Sequence, residues 1–204
     1  MQDSVSELVD RLRAKAPAYL DLLTAKTDEE FEAAFTTLLE TAVRQLEKNG
    51  KNYVGLGETG LSAVLASALT MPGLTVTQEA HSNGHVDLTI EADHCTPARV
   101  KLGEAKIYAT PSYHIKGVTQ LLGRYTTGRE LTGLLINYVR RPGIKGITTT
   151  LMAAIDKEKP ERLVAPCEPH KLKWSFSSKH EHLSGETLTV DHIGCNLGYG
   201  DEKT

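Results

Sequence analysis

Residues 98–108 read ARVKLGEAKIY, and the role of this stretch decides the fold. Leu102, Ala105, Ile107 and Tyr108 give it the apolar content of a buried strand, yet Glu104 and Lys106 interrupt it. Side chains alternate across a strand, so Glu104 and Lys106 share one face. Upstream, residues 84–91 read GHVDLTIE, with Asp87 among Val86, Leu88 and Ile90. The segment ADHCTPA, residues 92–98, has the turn residues to join the two strands as a hairpin, which brings Asp87 beside Glu104. Two carboxylates converging in an apolar sheet repel each other and are poorly solvated. A divalent cation resolves that conflict, and magnesium favours a few carboxylate oxygens completed by water and phosphate. Lys106 beside such a metal would orient a water or stabilise charge developing on phosphate. The opposing reading is an ion pair between Glu104 and Lys106 on a half-exposed strand.

Around these strands the chain is mixed. Residues 1–50 read as helices: Ser4 and Glu7 have capping-box spacing, and so do Thr27 and Glu30. Phe31, Phe35, Leu38, Leu39, Ala42, Val43 and Leu46 fall on one helical face, closed by Asn49 and Gly50. Residues 58–70, ETGLSAVLASALT, form a small apolar helix that opens on Glu58, and LTVTQEA, residues 74–80, is a strand. After Pro111 come a helix in YHIKGVTQLLGRYTTG (113–128), a strand in LTGLLINYV (131–139) and a helix in ITTTLMAAIDKE (147–158). Residues 172–195 read as a two-stranded ribbon around LSGE. The expectation is an α/β domain spanning 51–204, with a helical N-terminal extension over 1–50.

The run GHVDLTIE, a turn, then VKLGEAKIY resembles the PD-(D/E)XK nuclease superfamily, with its restriction-endonuclease-like fold. Asp87 matches the first acidic position, and Glu104 and Lys106 match E-x-K. Glu58 matches the glutamate that the family often carries on the helix before the core strands. The resemblance covers roughly residues 55–140. It implies a mixed central sheet flanked by helices and a Mg²⁺- or Mn²⁺-dependent nuclease, acting most naturally on DNA. It further implies that Glu58, Asp87, Glu104 and the Ala105 carbonyl hold metal while Lys106 handles the water. In relatives resembling the RecB nuclease, Q-x-x-x-Y follows the E-x-K. Gln120 fits its first position, but Arg124 stands where the tyrosine belongs and Tyr125 comes one residue late. Ile115, Val118, Leu122 and Tyr125 project to one side of this helix; Lys116, Gln120 and Arg124 form a polar stripe on another. Lys116 and Arg124, with Arg140 and Arg141 after the next strand, are candidate contacts to a phosphate backbone. A homodimer through the amphipathic N-terminal helices, and a protein partner within a prokaryotic phage-defence or mobile-element system, are further expectations. The competing function is the same fold as a catalytically silent subunit that binds nucleic acid or protein.

Composition narrows the field without deciding it. The 204 residues carry a net charge of −3, so the chain is no polybasic binder. Its three widely spaced cysteines suit neither a disulfide framework nor a zinc ribbon. The start, MQDSVSELVD, has no signal-peptide pattern, which gives a cytoplasmic expectation with no membrane partner. GLGETG, residues 55–60, fits G-x-G-x-x-G, but no good strand precedes it, so its glycines read as the turn that presents Glu58. Asp201-Glu202-Lys203 repeats the (D/E)-x-K spacing in a polar tail and reads as a decoy. His180, His182 and His192 read by default as exposed residues, with a metal site in the ribbon as the alternative. His81 and His85 flank the turn before Asp87.

Overall fold

The computed structural model describes residues 4–81 and 85–198. Asp201, Glu202 and Lys203 lie outside the described residues, as do the side chains of His81 and His85. The centre is a sheet of β1 (Thr75–His81), β2 (His85–Ala92), β3 (Arg99–Ile107), β4 (Thr132–Val139), β5 (Glu168–Pro169), β6 (Phe176–Glu181) and β7 (Thr187–Asn196). The seven strands lie in the order β1-β2-β3-β4-β7-β6-β5. β3, β4 and β7 are parallel neighbours, and the remaining pairs are antiparallel. β4 is buried from Gly133 to Val139, which fits its unbroken apolar sequence and its place in the middle of the sheet.

Helices cover both faces. On one, α2 (Pro17–Thr24), α3 (Asp28–Asn49) and α4 (Glu58–Leu69) bury Leu22, Phe35, Leu39, Leu61 and Leu65 against Leu134, Ile136 and Ile193. On the other, α5 (Pro111–Gln120) and α6 (Ile144–Glu158) bury Val118, Ile147, Leu151 and Ile155 against Leu135, Val139 and Val190. The architecture is thus α/β, a mixed sheet between two helical layers. Among the described residues no helix is long and apolar enough to cross a membrane.

Most elements fall where the sequence puts them, and three expectations need correction. Residues 1–50 are not a separate extension. α3 shares one buried cluster with β4 and β7, and only α1 (Val5–Lys15) buries no residue. The C-terminal ribbon is a hairpin of β6 and β7, but β7 pairs in parallel with β4 over Thr132–Val139 and completes the central sheet. As expected, α3 ends at Asn49 with Gly50 as its C-cap, and the chain continues into a short 3₁₀ turn, Gly50–Tyr53. Finally, His180 and His192 are buried, at 1% and 2% exposure, because they share the strand faces of Phe176 and Val190.

Candidate active site

The site forms where β2 and β3 part. Their pairing runs from Ala92 opposite Arg99 to Leu88 opposite Gly103. At that last rung the backbones approach closely, and a Cβ on Gly103 would lie 3.1 Å from Leu88 Cβ. Beyond it, carboxylates take the hydrogen bonds that a neighbouring strand would have accepted. The Ala105 amide donates to Asp87 Oδ2 at 2.8 Å. Two residues on, the Ile107 amide donates to Glu58 Oε1, also at 2.8 Å. Glu58 reaches this edge because the extended Gly57 caps α4 and makes Glu58 its first residue. That position, at the positive end of the helix, favours a carboxylate. Tyr113 holds the same oxygen from the other side, its hydroxyl donating to Glu58 Oε1 at 3.1 Å. Thr110, whose side chain accepts from the Tyr113 amide, starts α5 at the place that makes this contact possible.

Glu104 and Lys106 lie on the α5 face of β3, as their alternation predicts. Glu104 is 1% exposed and Lys106 7%. Lys106 Nζ donates to Glu104 Oε1 at 2.5 Å. The other oxygen, Glu104 Oε2, is buried and has no hydrogen-bond partner among the described residues. A buried carboxylate oxygen left in that state is costly. Burial pushes the Glu104 carboxyl up to about 7 against the pull of Lys106, and the charges of Asp87 and Glu58 push the same way. Burial works against the Lys106 ammonium too, but the Glu104 carboxylate outweighs it and holds the amine above its ordinary range. Three carboxylates and one lysine therefore meet electrostatically at the open edge of β3.

The donor set suits a hard divalent cation in kind, since carboxylate oxygens predominate and one of them is orphaned. As the side chains stand, no group of three His, Cys, Asp or Glu among the described residues is disposed to hold a metal. Asp87 and Glu58 face β3 amides and Glu104 faces Lys106, so their hydrogen bonds draw the carboxylates apart. Rotation of these side chains is what metal binding would require.

The helix after E-x-K carries an irregularity that the sequence does not announce. α5 runs to Gln120 and continues as a π turn, Leu121–Tyr125, closed by the Thr126 amide donating to the Leu121 carbonyl at 3.2 Å. A π turn absorbs one extra residue. Tyr125, one residue late for Q-x-x-x-Y but in phase with Val118 and Leu122, is buried on the sheet side at 6% exposure. Burial, and the nearby charges of Glu104 and Asp87, raise its phenol above the ordinary range. Arg124 is turned out to solvent, Lys116 is exposed, and Gln120 is half-buried without a hydrogen bond to a described residue. The polar stripe therefore breaks after Gln120.

The two arginines after β4 part company. Arg140 Nη2 donates to the Tyr53 carbonyl at 3.3 Å and to the Leu56 carbonyl. It braces the turn leading into Glu58 and is spent on the fold. Arg141 is exposed, with its guanidinium carbon 4.5 Å from the centre of the Tyr108 ring. Tyr108 shares the strand face of Lys106. The structure thus gathers Glu58, Asp87, Glu104, Ala105 and Lys106 at one place, and Tyr113 and Tyr125 are contributors that residue spacing missed. The signal for Tyr113 was Thr110-Pro111, a cap followed by a first-turn proline. No family model, no curated protein and no solved structure matches the chain.

Proposed function

We propose that the protein is a metal-dependent phosphodiesterase of the restriction-endonuclease-like fold, a nuclease acting most naturally on DNA. The observation that carries the reading is Glu104. It is a buried carboxylate with one oxygen on Lys106 and the other orphaned, at the edge where Asp87 and Glu58 replace a strand. Asp87 and Glu58 each satisfy a β3 amide, but the orphaned Glu104 oxygen satisfies nothing in the fold, and the mutual repulsion of the three carboxylates costs stability. A divalent cation held by Asp87, Glu104 and the Ala105 carbonyl, with Glu58 directly or through water, would supply Lewis acidity toward phosphate and water. Lys106, held as an ammonium, would orient the attacking water or stabilise charge developing on the phosphate, and Gln120 would orient the phosphate or Lys106. Lys116, Arg124 and Arg141 are exposed and remain as contacts to a phosphate backbone.

A second reading, the same fold used as a silent binding subunit, is favoured by one observation: the carboxylates do not converge as they stand. Calorimetric titration with Mg²⁺ and Mn²⁺, run beside cleavage of plasmid, linear and single-stranded DNA and of RNA, separates the two. The nuclease reading expects metal-dependent cutting that Glu104→Ala and Lys106→Ala each reduce by about a hundredfold or more, as loss of a transition-state contact does. Wild-type protein that binds neither metal would rule it out.

A further inference from the structure

The α5 face of the sheet contains a second buried polar assembly, away from the carboxylates. His114 on α5, His192 on β7, and Ser178 and His180 on β6 are each 1–2% exposed. They form one hydrogen-bonded chain. His114 Nε2 lies 2.9 Å from His192 Nδ1. His192 Nε2 lies 2.7 Å from Ser178 Oγ, and Ser178 Oγ lies 2.7 Å from His180 Nε2. His180 Nδ1 lies 3.1 Å from the carbonyl oxygens of both Pro160 and Glu161. A serine between two imidazoles suggests a nucleophile, but no substrate reaches a hydroxyl 1% exposed. The assembly must act through what it holds.

Its proton arrangement follows from its outer end. Burial lowers all three histidines, so each is a neutral imidazole with one N–H. Both carbonyls at His180 Nδ1 only accept, so the His180 proton is on Nδ1. His180 Nε2 then accepts from the Ser178 hydroxyl. That hydroxyl has no second proton, so it accepts from His192 Nε2–H. His192 Nδ1 accepts in turn from His114 Nε2–H. His114 Nδ1, at the inner end, carries no proton and is buried; it meets no hydrogen-bond geometry among the described residues, but the Asn137 side chain lies near enough to act on it. The outer end is equally constrained. Lys159, Glu161 and Arg162, on either side of Pro160, have φ of 47°, 46° and 53°, left-handed values that persist only where their surroundings hold them.

The inner end is fixed to the helix that shapes the candidate site. His114 follows Tyr113, whose hydroxyl holds Glu58. One turn later, Gly117 forms a notch in α5. A Cβ there would lie 2.8 Å from Leu135 Cδ1 and 3.5 Å from Lys106 Cγ, so the Lys106 stem runs along the helix at this point. Asn137 is the direct β4 partner of Lys106. Anchoring His114 therefore sets how α5 seats on the sheet, and with it the lysine stem and the tyrosine.

We propose that the chain His180–Ser178–His192–His114 is a positioning network for the candidate active site, with His114 as the positioning residue that sets Lys106 and the Tyr113–Glu58 contact through α5. This rests on the reading of Lys106 and Glu58 as site residues, and it adds four residues that have no part in that reading. The test compares His114→Leu, which removes both ring nitrogens, with His114→Gln, which keeps an amide donor for His192. Ser178→Ala, which cuts the chain at its bridge with little change in volume, serves if His114→Leu does not fold. The readouts are hydrogen exchange at the Ile107 amide, which Glu58 accepts, and metal-dependent cleavage resolved into kcat and KM. In His114→Leu, Ile107 exchange rises about tenfold while amides of the β1–β2 pair are unchanged, as a local opening requires. At a temperature where the variant is fully folded, kcat falls about tenfold or more and KM changes less than about threefold, as a sub-ångström misplacement of reacting groups requires. His114→Gln restores both readouts to within about threefold of the wild type. Unchanged Ile107 exchange in a folded His114→Leu or Ser178→Ala protein overturns the proposal and reduces the chain to packing. A wild type that cuts nothing would count against the nuclease reading alone, because the exchange comparison stands without activity.

Discussion

Arg140 and Arg141 are adjacent in sequence and opposite in consequence. Arg140 spends its guanidinium on two carbonyls of the turn before Glu58, and hydrogen bonds from a charged donor in a partly buried place stabilise by about 1.5–3 kcal/mol. Arg140→Ala is expected to destabilise the protein by about 2 kcal/mol and to weaken metal binding, since Glu58 sits on the turn it braces. Arg141→Ala is expected to leave stability within about 0.5 kcal/mol. It should instead weaken nucleic-acid binding and shallow its salt dependence by about one unit of log–log slope. Urea denaturation of both variants, with DNA binding measured at several salt concentrations, checks the pair, and equal salt slopes for wild type and Arg141→Ala would remove Arg141 from the interface. From sequence alone the arginines were indistinguishable, because both follow an apolar strand in one Arg-Arg-Pro-Gly run. Asp87, Glu104 and Lys106 were legible for the opposite reason: a charge inside an apolar strand has few explanations. His114 was legible in principle, since it lies four residues before Val118 and seven before Leu121, in phase with the buried face.

At the scale of elements, α5 shows where sequence periodicity reaches its limit. The apolar spacing predicts one helix through Tyr125 and places Tyr125 inward and Arg124 outward, as found, but it does not announce the π turn after Gln120. Such a turn leaves no composition signal. The β6–β7 hairpin was legible from alternation, whereas its parallel pairing with β4 was not, because pairing between distant strands is decided by the layer that covers both. Two glycines give a test of how tightly α5 is seated. Gly117→Ala adds a methyl 2.8 Å from Leu135 Cδ1 and toward the Lys106 stem. It should destabilise by about 1–2 kcal/mol net, overpacking outweighing the roughly 1 kcal/mol gain in helix propensity. Gly146→Ala in α6 meets nothing within 4 Å. It should stabilise by about 0.5–1 kcal/mol and leave the site untouched. Thermal unfolding of the two single variants decides the matter, and a stabilised Gly117→Ala protein would show that α5 has room to shift over Lys106.

For the molecule as a whole, buried ionisable groups of opposite type set the dependence of stability on pH. His114 is pushed down to about 3 by burial, and His180 and His192 are lowered for the same reason. A base with a depressed native pKa binds its proton only on unfolding. Its contribution is therefore intact above about pH 6.5 and is lost as the pH falls below that value, by about 1 kcal/mol between pH 6.5 and 5.5 for His114, whose native pKa is about 3. Glu104 acts in reverse. Its native pKa of about 7 lies above its ordinary value of 4.5, so over the same interval the folded state takes up the proton first and gains stability. That gain is about 1 kcal/mol, comparable to the loss from His114 alone, so the further losses from His180 and His192 leave stability falling over this interval. Urea midpoints at pH 7.5, 6.5 and 5.5 should fall accordingly. The Glu104→Gln variant has no carboxyl to protonate, so its loss between pH 6.5 and 5.5 should exceed that of the wild type by about 1 kcal/mol. A wild-type profile flat over this range would mean that the imidazoles are not buried in neutral form. Parallel profiles for wild type and Glu104→Gln would mean that Glu104 titrates as an ordinary carboxyl, and the desolvated, metal-seeking character assigned to it would fall with that result.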